Sequence, residues 1–198
     1  MPKISPEHRQ MRQQQILEAA WRCFHRAGVQ ATTMQDIIAE SGLSASAMYR
    51  YFADKEGIIL AAIAASLGRL DGLLQPVLED ASIPGPVELA TRIAQLVDGF
   101  TRQRDFNLGA IAIQGWSEAQ RNGKVRTLIA GYYATFRDKL AERVRAWQKT
   151  GAVPRTAKPL DVANAMQAIV LGHVVQGAIL GDVDARRIAR GLGGFQSS

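Results

Sequence analysis

The chain has a single cysteine, Cys23, so no disulfide can close within it and no paired-thiol metal or redox motif exists. Aromatic residues make up only 7% of its 198 residues, and strict apolar-polar alternation is nearly absent, which argues against a sheet protein of half-buried strands. No unbroken apolar run reaches the ~18 residues of a membrane span, and the opening MPKISPEHRQMRQQQ lacks the apolar segment of a secretion signal. A soluble, cytoplasmic protein with no membrane partner is expected. The motifs HExxH, GxSxG and GxxxxGK followed by Ser or Thr are all missing, and the GLGG near the C-terminus precedes no helix that could hold a phosphate. His8, His25 and His173 lie too far apart in sequence to suggest a metal site. Neither an enzyme, a metal protein nor a cofactor-bearing one is expected.

What the chain does contain is helix-forming sequence. Hydrophobic residues reach 47%, enough for a real core, and Ala, Leu, Ile and Gly dominate, so the expected class is all-α. A polar arm over residues 1–12, with Lys3, His8, Arg9 and Arg12, precedes a helix from about Gln13 to Ala27. Ile16, Ala20, Phe24 and Ala27 recur on one face of that helix. Further helices are read to about Asp80, with a kink or early end at Pro76, then over VELATRIAQLVDGFTRQR, LGAIAIQGWSEAQRN, Lys124–Lys149, LDVANAMQAIVLGHVVQGAILG and DARRIARGL. The net charge of +6 makes an anionic partner plausible. Residues 1–60 hold seven basic against six acidic side chains, however, so bulk charge gives an N-terminal nucleic-acid site little support.

The informative stretch is Thr33 to Lys55. Thr33 can cap a short helix, MQDIIAE, with Asp36 at its third position reaching back to the cap, and Gly42 suits a tight left-handed reversal. Ser44 caps a second short helix, ASAMYRYF. Two short capped helices about a glycine turn make a helix-turn-helix, here over about 33–52. A major groove about 12 Å wide admits a recognition helix whose leading side chains are small. Ala45, Ser46 and Ala47 meet that condition; Tyr49, Arg50 and Tyr51 can reach outward, while Met48 and Phe52 anchor the opposite face. Tyr49 suits the core equally well. Lys55, in the first turn after the Asp54 cap, and Thr33 are both placed to meet phosphates.

The segment ILEAAWRCFHRAGVQATTMQDIIAESGLSASAMYRYFADKEGII, residues 16–59, resembles the N-terminal domain of the tetracycline-repressor (TetR/AcrR) family of bacterial transcriptional regulators. The matching residues are Ile16-Leu17, Ala19-Ala20, Phe24, Gly28, Thr32-Thr33, Ile37, Ala39, Gly42, Tyr49, Tyr51-Phe52 and Lys55-Glu56. Ile38 and Gly57-Ile58 depart mildly from the pattern. The resemblance implies a DNA-binding domain over 1–57, with Thr33, Tyr51 and Lys55 at phosphates, and Gln35, Ala45, Ser46, Ala47, Tyr49 and Arg50 near bases or adjoining backbone. The planar fork of Arg50 suits guanine. Substituting Lys55 by Ala is then expected to weaken binding to all sequences with a shallower salt dependence, and Arg50 by Ala to relax sequence preference.

Residues 58–198 form the expected ligand-binding and dimerisation domain. WSEAQRNGKVRTLIAGYYATFRDKLAERV resembles, more loosely, the effector domain of one branch of the family. Members of this kind sense a small molecule in a helical cavity, which Phe100, Ile113, Trp116, Tyr133, Phe136, Met166 and His173 could line, although an aromatic or Met stripe at helical spacing equally describes a core. AMQAIVLGHVVQGAILG is apolar all round and needs covering on both sides, and the resemblance implies a homodimer interface there, matched to a palindromic double-stranded operator. The alternative reading is a helical small-molecule-binding or scaffolding protein that no longer binds DNA.

Overall fold

The computed structural model describes residues 5–101, 107–181 and 183–194. The regular structure among them is helical: α1 (Pro6–Ala27), α2 (Met34–Ser41), α3 (Ala45–Tyr49), α4 (Lys55–Glu79), α5 (Pro86–Thr101), α6 (Leu108–Ala119), α7 (Gly123–Thr150), α8 (Pro159–Leu180) and α9 (Arg186–Gly194). Contacts divide the chain into two units, Met1–Ser66 with Gln103–Leu128, and Leu67–Arg102 with Ile129–Ser198. Both α4 and α7 contribute residues to each unit, and α6 falls in the first, beyond the 1–57 segment that the sequence delimits.

In the N-terminal unit, α1 starts earlier than its apolar pattern suggests. The Ser5 hydroxyl accepts the His8 amide and Pro6 sits at the first helical position, so residues 6–12 are helix and not an arm; Lys3 lies outside the described residues. Gly28, at φ 86°, ends the helix. Its buried face is wider than the four residues expected: Ile16, Leu17, Ala19, Ala20, Trp21, Cys23 and Phe24 are covered, whereas Ala27 is exposed. Arg22 and Arg26 pair with Glu40 and so tie α1 to α2, while the Gln15 amide donates to Ser41 O. Ile37, Met48, Phe52, Ile58, Ile59 and Val125 are buried in the same unit.

The C-terminal unit is built on one apolar cluster, in which Leu74 and Leu78 of α4, Ile93 and Val97 of α5, Phe136, Leu140 and Val144 of α7, and Met166 and Val170 of α8 pack together. The Trp147 indole is buried in it and donates to Ile83 O at 2.9 Å. Helix α4 runs through Pro76 to Glu79, so no early end occurs there. By length and composition α4 and α8 are apolar enough to cross a membrane, although the apolar run in each is broken by other residues; Leu74, Leu78, Met166 and Val170 of these helices pack into the core. On α8 the buried residues are Ala163, Met166, Gln167, Val170 and His173, a helical stripe on one face. The two ends of the same helix leave Leu160, Ile179 and Leu180 in solvent, Ile179 on the side opposite the stripe.

Candidate nucleic-acid interface

The helix-turn-helix is fixed by its caps. Thr33 Oγ1 accepts the Asp36 amide at 3.2 Å, and the Asp36 carboxylate accepts both the Thr33 amide and its hydroxyl at 2.7 Å, closing a capping box at the start of α2. Those two bonds hold the Asp36 carboxyl below its usual range, the Thr33 main-chain bond contributing most. The Thr33 hydroxyl proton is thus committed to Asp36. Gly42 ends α2 in the left-handed conformation, φ 68° and ψ 13°, which reverses the chain within three residues. Ser44 then caps α3, its hydroxyl accepting the Ala47 amide at 3.2 Å and lying 3.1 Å from that of Ser46.

Helix α3 proper ends at Tyr49, one turn sooner than the pattern ASAMYRYF implies, and the chain continues as a turn in which the Tyr51 and Phe52 amides both donate to Met48 O. Met48 is fully buried and Phe52 nearly so, which turns the other side of this segment outward. Ser44, Ala45, Ser46, Tyr49 and Arg50 are exposed, with Ala47 and Tyr51 half-buried. Tyr49, for which a core position was equally open, is 53% exposed. Gln35, on the first turn of α2, is exposed as well. Small side chains, two hydroxyls, a phenol and a guanidinium therefore share an open surface, and no hydrogen bond or ion pair among the described residues ties down the Arg50 guanidinium.

Lys55 is placed otherwise. Its ammonium donates to Val29 O, Gln30 O and Thr32 O at 3.2, 3.0 and 2.9 Å, in the connection between α1 and α2. The other side of that connection meets α6, where Gln114 accepts the Val29 amide at 2.7 Å and donates to Phe24 O at 3.3 Å, and Glu118 accepts from the Gln30 amide group. Sequence reasoning missed Gln30, Gln114 and Glu118. The trace they leave is a Gln and a Glu at i, i+4 on a largely apolar α6. The same first turn of α4 is held by Glu56, which accepts from Lys124 at 2.8 Å and Asn122 at 2.9 Å.

The seven residues expected to line an effector cavity divide between the units. Ile113 and Trp116 lie on α6, with the N-terminal unit; Phe100, Tyr133, Phe136, Met166 and His173 lie in the C-terminal one. Phe136 and Met166 belong to the apolar cluster. His173 is buried with Nε2 2.8 Å from Asp98 Oδ1, a contact unseen in the sequence because its partners stand 75 positions apart. Beside them Tyr132 stacks on Phe136 with ring centroids 6.4 Å apart. Its buried hydroxyl has no partner among the described residues, and desolvation pushes its pKa well up.

A capped helix, a glycine reversal and a second short helix that turns small side chains to solvent are the parts of a helix-turn-helix regulator of transcription. A family model described as bacterial regulatory proteins, tetR family, matches residues 16–62, and one described as BetI-type transcriptional repressor, C-terminal, matches residues 101–192. The chain belongs to the tetR family of bacterial transcriptional regulators. It is 30% identical over 148 residues to the HTH-type transcriptional regulator BetI of Rhizobium meliloti, covering 74% of this chain and 70% of that one. Among solved structures it resembles a putative transcriptional regulator from Saccharomonospora viridis in complex with choline, with a TM-score of 0.74, 25% identity and coverage of 94% and 95%. Salmonella enterica GusR matches over the whole length of both chains, with a TM-score of 0.76 at 22% identity.

Proposed function

We propose that this chain is a homodimeric, cytoplasmic repressor that binds a palindromic operator through residues 1–57 and leaves it when residues 58–198 take up a small molecule. The observation that carries the reading is the exposure of Ala45, Ser46 and Tyr49 on α3 and of Arg50 at its C-terminal cap, on a segment whose reverse is anchored by buried Met48. Small leading side chains allow close approach to a major groove, and Arg50 has the planar donor pair that reads guanine O6 and N7. Gln35, Ser44, Ala47 and Tyr51 border that surface, and Thr33 meets a phosphate only by exchanging its Asp36 partner. The repressor sense is supported by the BetI-type C-terminal match. Dimerisation through the open side of α8 would give the operator its two-fold symmetry.

Release requires an effector that binds the DNA-incompetent form more tightly than the competent one. Choline is the first compound to try, because a similar chain was solved with it and because the C-terminal unit offers tyrosine faces near which a quaternary ammonium is held well. The reading is tested by gel shift on the DNA upstream of the chain's own gene, with and without choline. A specific retarded band that Arg50→Ala broadens to mismatched sequences is the expected result. A band insensitive to sequence, or none at moderate salt, sinks it.

A further inference from the structure

The connection Gly28–Thr33 is irregular in backbone, yet most of its main-chain polar groups are bound. Both the Thr32 amide and its hydroxyl donate to Gly28 O, the Val29 amide donates to Gln114, and the Thr33 amide donates to Asp36. The carbonyls of Val29, Gln30 and Thr32 converge on Lys55 Nζ. An ammonium has three protons, and each here has a carbonyl within 3.2 Å. To meet a phosphate Lys55 would have to abandon at least one of these bonds and leave a main-chain oxygen facing the anion. Opposite it, Gln114 grips the last turn of α1 and the connection with one side chain, and Glu118 holds Gln30.

We propose that Lys55 is a positioning residue for DNA binding and not a phosphate ligand. With Gln114 on the other side it pins the α1–α2 connection, and so sets where the capping box, Thr33 and Gln35 stand relative to α3. The inference rests on the DNA-binding reading above. Unpinned, five or six residues of irregular backbone sample many conformations, and each misplaces the start of α2 against a duplex that α3 has already engaged.

The test measures affinity by fluorescence anisotropy across a range of salt concentrations, using a duplex chosen by in vitro selection on the wild-type protein. The variants are Lys55→Met, Lys55→Arg and Gln114→Ala. Each is expected to bind about tenfold more weakly, as loosening the connection by the loss of its side-chain anchors implies, with the wild-type slope of log affinity against log salt retained. Hydrogen exchange at the amides of residues 29–36 should quicken in all three. Lys55→Arg keeps the charge but cannot direct three donors from one nitrogen to three carbonyls, and Gln114→Ala changes no charge, so the test survives if Lys55→Met does not fold. A slope shallower by about 0.9 in Lys55→Met, with Lys55→Arg near wild type, makes Lys55 a phosphate ligand and overturns the inference alone. Wild-type affinity in every variant that folds overturns it too. Failure of the wild type to enrich any duplex instead defeats the DNA-binding reading, and this inference falls with it.

Discussion

Glu40 accepts from Arg22 at 2.7 Å and from Arg26 at 3.2 Å, and these bonds, that of Arg22 foremost, hold its carboxyl below the ordinary glutamate value of 4.5. A carboxyl whose folded pKa is depressed stabilises fully above its unfolded value and loses that contribution as pH falls through the folded one. Urea midpoints are therefore expected to fall as the solution is acidified below about pH 4.5. Glu40→Gln, starting lower, should lose less over that window; parallel curves for the two proteins would exclude the pair as a contributor. The indole of Trp147 offers a second test. It is buried, donates to Ile83 O and lies under the Arg143 guanidinium at 5.2 Å. Trp147→Phe leaves a carbonyl unsatisfied in the cluster and should cost about 1–3 kcal/mol in urea unfolding.

The short helices α2 and α3 take their boundaries from single residues. A side chain at Gly42 would meet nothing within 4 Å, so the cost of Gly42→Ala comes from the left-handed backbone alone, about 1–2 kcal/mol, read by thermal unfolding. A negligible cost would mean that the turn relaxes to another conformation, and operator affinity should then fall with it. Both caps, the glycine turn and the burial of Met48 and Phe52 were legible in the sequence, because each depends on neighbours within four positions. The start of α1 was less so. Ser5 and Pro6 carried a capping signal, but residues 6–15 hold no apolar stripe to mark them as helical. The Lys55 contacts were illegible, since their acceptors are main-chain carbonyls 23 to 26 positions away and any residue supplies a carbonyl.

Over the whole molecule, the unfinished surface is the outer side of α8. Ile179 and Leu180 stand 69% and 68% exposed there, next to a stripe already used by the C-terminal core. If the homodimer proposed above forms on this face, Ile179→Glu should shift the protein toward monomer in sedimentation equilibrium. Operator binding should then weaken, because each half-site is held alone. An unchanged dimer would move the interface elsewhere.

Composition and spacing alone determined the all-helical class, the helix-turn-helix and the outward face of α3, since periodicity and capping are local properties that a chain carries wherever it folds. Only the tertiary structure decided that α6 joins the N-terminal unit, that Lys55 spends its protons on main-chain carbonyls, and that His173 meets Asp98. Those outcomes depend on which distant groups packing brings within 3 Å or so. Hydrogen-bond donors and acceptors are too common along a chain for its order to name the pairs.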